Sequence, residues 1–188
     1  MLVNNNNEIH HVNLIEKLLA TLLAKCSNFI PETGIWLTTQ RPEWNDANNA
    51  LVGNGVSMVT LYYMRRFLSF FKDTLEKSEK EKVLISSELH EFFSETINAL
   101  KTYEHLLSST ISDVDRKKII DALGNAASKY RMGIYNTGFS SEKTNITNEN
   151  LLDFSNIMLS YLDHSISCLL YTSPSPRDQR GSRMPSSA

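Results

Sequence analysis

The chain lacks the cysteine content of a small secreted domain. Among its 188 residues only two are cysteines, Cys26 and Cys168, too few for a disulfide framework. No signal peptide pattern opens the chain, so a reducing, cytoplasmic location is the expectation. No cysteine or histidine spacing predicts a metal site, and the adjacent His10 and His11 would point to different faces of a helix. The histidines His90, His105 and His164 are expected to be structural.

Three further absences narrow the class of protein. There is no excess of basic residues, since the formal net charge is −2, and no basic stripe predicts contact with nucleic acid. No apolar run is long enough to cross a bilayer, so no membrane partner is expected. No segment alternates polar and apolar residues for long enough to predict a strand. The sequence therefore predicts an all-α protein.

The last 21 residues differ from the rest of the chain. Residues 168–178, Cys-Leu-Leu-Tyr-Thr-Ser-Pro-Ser-Pro-Arg-Asp, resemble the translation of a transposase-type sequencing-library adapter, and residues 182–188 resemble its flow-cell end. We expect residues 168–188 to be a non-native, adapter-derived, disordered tail, and residues 1–167 to be a fragment of a longer helical domain. Of 19 basic residues three lie in this tail, and of 21 acidic residues one does; the remaining 16 and 20 give a formal charge of −4.

Helical periodicity of apolar residues predicts five helices. They are expected at about residues 8–25, 55–79, 86–108, 112–133 and 148–166, with long loops at 27–54 and 135–147. The second helix is apolar on nearly every side, which is typical of a helix buried inside a larger protein. Alternating buried and amphipathic helices favour stacked helical hairpins. This pattern fits an incomplete (α/α) toroid of about five helices, but by itself it favours a plain helical bundle, and only a family resemblance tips the prediction to the toroid.

The stretch from Arg41 to Gly55 is rich in the side chains that bind sugars. It reads Arg-Pro-Glu-Trp-Asn-Asp-Ala-Asn-Asn-Ala-Leu-Val-Gly-Asn-Gly. An indole such as that of Trp44 can stack on the apolar face of a pyranose ring, while amides and carboxylates bind its hydroxyl groups. One carboxylic acid can protonate a glycosidic oxygen. The candidate substrate-binding residues are Arg41, Trp44, Asn45, Asp46 and Asn49. Trp36, by contrast, is expected in the core.

This stretch and the apolar helix that follows it resemble one block of the cellobiose and chitobiose phosphorylase family. The likeness covers about residues 41–71 and includes Trp44-Asn45-Asp46, Asn49, Val52-Gly53 and the aromatic helix around Tyr62-Tyr63. These enzymes are inverting glycoside phosphorylases with an (α/α)₆ toroid. The resemblance assigns the role of general acid to Glu43, the acid immediately before Trp44. Glu43 stands where the family has aspartate, and Arg41-Pro42 replaces small residues, which puts the substrate in doubt.

The resemblance implies a disaccharide or oligosaccharide substrate, no cofactor, and inorganic phosphate as co-substrate. Because the family's phosphate-binding residues lie outside this block, hydrolysis by water remains open. The remainder of the truncated chain would be a further partner, and the fragment alone is expected to be inactive. The alternative is a non-catalytic helical scaffold or protein-interaction module. The enzyme hypothesis predicts that the second helix lies innermost, and the module hypothesis predicts complete burial of every apolar face.

Overall fold

The computed structural model describes residue 4 and residues 8–38 and 54–172 of the chain. This part of the chain is mostly helical, as predicted. Its five α-helices and one 3₁₀-helix are α1 (Leu14–Cys26), α2 (Met58–Glu76), α3 (Ser87–Tyr103), the 3₁₀-helix Glu104–Ser108, α4 (Asp113–Thr137) and α5 (Asn148–Thr172).

Three helix boundaries differ from those expected. Helix α1 begins at Leu14, six residues later than predicted, because the side chain of Asn13 accepts a hydrogen bond from the backbone N–H of Glu16 and caps the helix there. Helix α4 ends at Thr137, where Gly138 adopts a positive φ of 71° that favours glycine. Helix α5 continues to Thr172, beyond the expected end near Ile166, so residues 168–172 of the segment expected to be disordered are helical.

The prediction that no segment forms a strand is wrong. A three-stranded antiparallel sheet contains β1 (Phe29–Ile30), β2 (Gly34–Thr38) and β3 (Asn54–Ser57), and a two-stranded antiparallel sheet contains β4 (Lys82–Ser86) and β5 (Lys143–Thr147). No strand exceeds five residues, so alternation within a single strand is too short to detect. The backbone hydrogen bonds that stabilise these strands come from partners elsewhere in the chain, and that information is absent from any local pattern.

Three of the strands run directly into helices. Strand β3 ends one residue before α2 begins, β4 one residue before α3, and β5 one residue before α5. At the first of these junctions the hydroxyl of Ser57 accepts a hydrogen bond from the backbone N–H of Thr60, at 3.0 Å, and caps α2. The two sheets therefore fix where three of the five described helices start.

Within the described residues, helix α2 is buried on one side only. It packs against α5 through one stripe, whose spacing of three and four residues buries Leu61, Met64, Leu68, Phe71 and Leu75. On its other faces Val59, Tyr62, Tyr63 and Phe70 are exposed. Although most residues of α2 are apolar, only one side of the helix is buried. Within the described residues, no helix combines the length and apolarity that a bilayer-spanning helix requires.

A buried carboxylate connects α1 to the two-stranded sheet. Glu16 is 3% exposed and accepts hydrogen bonds from both the backbone N–H, at 2.9 Å, and the hydroxyl of Ser86 at the end of β4. The ammonium of Lys143, the first residue of β5, lies 3.0 Å from its other oxygen. A buried charge is tolerated in a protein when it is paired and hydrogen-bonded in this way.

Replacing this carboxylate should destabilise the fold. Glu16→Ala leaves the Ser86 N–H without its acceptor and Lys143 without its counter-ion, so we expect the free energy of unfolding to fall by about 2–4 kcal/mol. Urea unfolding followed by circular dichroism measures this loss. Glu79→Ala removes an exposed glutamate and should change stability by less than about 0.5 kcal/mol. Equal effects of the two substitutions would contradict the role assigned to Glu16.

Candidate functional site

The sugar-binding residues predicted from the sequence lie outside the described residues. This applies to the candidate acid Glu43 and to Arg41, Trp44, Asn45, Asp46 and Asn49, all of which fall between residues 39 and 53. The structure does describe both flanks of this stretch. Strand β2 leads into it and strand β3 follows it.

The two flanking strands pair with each other. Antiparallel partners run from Ile35 opposite Ser57 to Thr38 opposite Asn54, so the residues on either side of the stretch 39–53 are neighbours in the sheet. The two strands approach each other closely at Gly34. A side chain there would not fit, because its Cβ would lie 2.7 Å from Cγ1 of Val56, and the φ of 157° also favours glycine. The residues that flank the stretch carrying Glu43 are therefore paired with each other, and β3 connects the second of these flanks to α2.

Trp36 is not a core residue, contrary to the prediction. It lies on β2, two residues before the last described residue of that strand, and its residue exposure is 40%. Its backbone N–H donates a hydrogen bond to the carbonyl of Asn28, at 2.7 Å, which holds the strand in place.

A serine, a histidine and a carboxylate meet near the start of α1, a combination that resembles nucleophilic catalytic sites. Nε2 of His10 lies 2.9 Å from the hydroxyl oxygen of Ser86 and 3.9 Å from a carboxylate oxygen of Glu16. However, Ser86 is fully buried and its hydroxyl donates directly to Glu16, whereas a catalytic serine donates to a histidine and faces the substrate. The cluster is structural, and it orders the segment before α1.

An exposed apolar groove lies between α1 and α2, and we call it the α1/α2 groove. It encloses about 460 Å³. It is lined by Leu14, Lys17, Leu18, Thr21, Leu22, Lys25, Thr60, Tyr63, Met64 and Phe67. Leu14 and Tyr63 are 70% and 66% exposed. The module hypothesis predicted that every apolar face is buried, and the exposure of these two side chains contradicts that prediction. The groove contains two lysines and no carboxylate, which leaves its rim positively charged.

Arg65 is engaged within the described fold. It extends from α2 to form an ion pair with Asp163 on α5. The structure gives it a partner on a neighbouring helix, and this ion pair raises the pKa of the guanidinium above its ordinary value.

Comparison with known proteins adds no family assignment. No protein-family model matches this sequence, and no curated protein is significantly similar to it.

The stability of the fold should depend on pH through His10. Its ring is almost buried, stacked on Phe139 at 3.9 Å, and faces Lys143, Glu16 and Glu88. Burial first, and then the charge of Lys143, lower the pKa of His10 from 6.5, and the two carboxylates only partly oppose this. Because the pKa of His10 is lower in the folded state, the folded protein favours the neutral imidazole. The stability that His10 contributes is therefore fully present above pH 6.5 and is lost as the pH falls through the folded-state pKa.

We therefore expect wild-type protein to lose more stability between pH 8 and pH 5 than His10→Asn, which cannot titrate. Chemical unfolding at several pH values measures the difference between the two. His105→Asn is the matched control, because His105 is exposed on the 3₁₀-helix. A parallel pH dependence of wild type and His10→Asn would contradict the role of His10.

Proposed function

We propose that this chain is part of a carbohydrate-active enzyme that cleaves a glycosidic bond with inversion. The observation that supports the proposal is the pairing of Thr38 with Asn54, which brings the two ends of the stretch 39–53 together at the ends of β2 and β3. Binding and catalytic residues are commonly placed on loops that a rigid scaffold positions. The resemblance of this stretch to the cellobiose and chitobiose phosphorylase family supplies the chemistry.

Glu43 would act as the general acid in this proposal. It would protonate the leaving glycosidic oxygen while inorganic phosphate, or water, attacks the anomeric carbon from the opposite face. Trp44 would stack on the sugar, and Arg41, Asn45, Asp46 and Asn49 would bind its hydroxyl groups. Glutamate in place of the family's aspartate moves the carboxyl group, which favours a substrate different from the family's own.

The exposed side of α2 supports the further proposal that the catalytic domain is larger than this chain. Tyr62, Tyr63 and Phe70 lie on the outer faces of the helix. Contiguous apolar surface of this kind usually marks a contact with another part of a protein. In an (α/α)₆ toroid, neighbouring helical hairpins would cover it. This chain alone would then lack the opposite side of the active site, and we expect it to be inactive by itself.

The decisive test uses the full reading frame of the source gene. Purified protein is assayed for phosphate-dependent release of sugar 1-phosphate from a panel of disaccharides, and for release of free sugar without phosphate. We expect Glu43→Gln to lower kcat by about 10²–10⁴-fold, because the amide cannot donate the proton that the leaving group needs. Glu79→Gln, at an exposed glutamate of the same chain, should retain full activity. An active Glu43→Gln enzyme would disprove the assignment of the general acid.

A protein-interaction module is the second candidate function, and the α1/α2 groove favours it. The apolar lining, with Lys17 and Lys25 and no carboxylate among its residues, suits an amphipathic helix with a leucine stripe and acidic flanks. Such a helix would bury Leu14 and Tyr63, and its carboxylates would pair with the two lysines. This candidate requires no chemistry at Glu43.

A synthetic helical peptide with leucines on one face and glutamates beside them tests this candidate. We expect Leu14→Glu and Tyr63→Glu to weaken its binding by at least about tenfold, since each places a carboxylate in the apolar groove beside an acidic peptide. Val114→Glu is the matched control, because Val114 is 67% exposed on α4 and does not line the groove. Fluorescence anisotropy measures binding, and a lysine-flanked peptide controls for charge. Equal affinity for wild type and all three variants would rule out the groove as the binding site.

A further inference from the structure

A carboxylate, an imidazole and a thiol converge where the β1–β2 turn meets the end of α5. Glu32 belongs to the turn, and His164 and Cys168 lie one helical turn apart on α5. Oε1 of Glu32 is 3.2 Å from Nε2 of His164 and 3.6 Å from Sγ of Cys168, and the imidazole and thiol are 3.7 Å apart. All three side chains are partly buried. Sequence reasoning missed the cluster because 132 residues separate Glu32 from His164.

These three separations match the edges of a metal coordination tetrahedron. With Zn–N and Zn–O bonds of about 2.1 Å and a Zn–S bond of about 2.3 Å, tetrahedral angles place N and O roughly 3.4 Å apart, and S roughly 3.6 Å from each. The three observed distances agree with these values to within about 0.2 Å. No large movement of the three side chains would be needed to bind one zinc ion.

The carboxylate is held firmly in this position. Glu32 has a φ of 62°, the left-handed conformation that residues other than glycine rarely adopt, and its backbone N–H donates to the hydroxyl of Ser165 at 2.9 Å. Its second oxygen, Oε2, accepts a hydrogen bond from Arg116 at 2.6 Å, while the backbone N–H of Ile111 donates to Oε1. Metal-binding carboxylates are oriented by such outer partners.

We propose that Glu32, His164 and Cys168 form a zinc site in which a water molecule completes the tetrahedron. Zinc accepts one ligand of each type, and thiolate together with imidazole distinguishes it from magnesium or calcium, which prefer oxygen ligands. Binding forms a Zn–S bond and releases the thiol proton to solvent. Cys168 is the first residue of the adapter-like segment, so the site belongs to the 188-residue chain, whereas Glu32, His164, Arg116 and Ser165 all precede that segment.

Cobalt and zinc titrations of the full chain test this site. Tetrahedral Co²⁺ bound through a thiolate gives visible absorption bands and a sulfur charge-transfer band in the near ultraviolet. We expect Cys168→Ser to abolish the charge-transfer band, and both Cys168→Ser and His164→Asn to weaken Zn²⁺ binding by about 100-fold or more. His105→Asn removes an exposed histidine and should change neither quantity. Circular dichroism establishes that each variant is folded.

Alkylation of the thiols provides a second readout. Cys26 is fully buried, so iodoacetamide reacts with Cys168 in the folded protein. We expect Zn²⁺ to slow that reaction at least about tenfold in the wild type, because the metal-bound sulfur lone pair is engaged, and to have less effect in His164→Asn. Zinc affinity unchanged by Cys168→Ser, or a cobalt spectrum without the sulfur band, would overturn the proposal.

Discussion

The carboxylate of Glu16 is the interaction on which the arrangement of the described elements depends. It lies in the interior, where an unpaired charge would be costly, and its oxygens are satisfied by Ser86 and Lys143. These two residues are the last residue of β4 and the first residue of β5, and they face each other in the sheet. One side chain thereby fixes α1 against the sheet from which α3 and α5 start. His10 and Phe139 cover the same cluster, so the segment before α1 is ordered by it as well.

The three-stranded sheet positions the two ends of the stretch 39–53. Pairing of β2 with β3 continues to Thr38 and Asn54, which brings together the two ends of a stretch that the sequence alone would leave as a long loop. The same strand β3 sets the first turn of α2 through Ser57. The two ends of the stretch 39–53 therefore lie next to each other, and the second end leads through β3 into α2. This continuity is consistent with a proposal in which both belong to one catalytic domain.

Helix α2 shows how an apolar sequence can mislead. Its composition indicated burial on all sides, yet only the stripe that faces α5 is buried. The remaining aromatic residues lie at the surface, and Tyr63 contributes to the α1/α2 groove. Complete burial of the apolar residues, which the module hypothesis predicted, is therefore absent from this helix. A half-covered helix fits a catalytic domain completed by further helices, and it equally fits a module that binds an acidic helix.

The sequence by itself determined the mostly helical character of the described residues, the five α-helices among them and most of their apolar stripes, because periodic burial is a local property of about four residues per turn. It also determined the chemistry available between Arg41 and Asn49, since that depends on residue type. Only the tertiary structure decided the two sheets, the position of α2 and the partners of Glu16. It also brought Glu32, His164 and Cys168 together across more than 130 residues. Strand pairing and long-range side-chain contacts depend on which distant segments meet, and no local pattern encodes that.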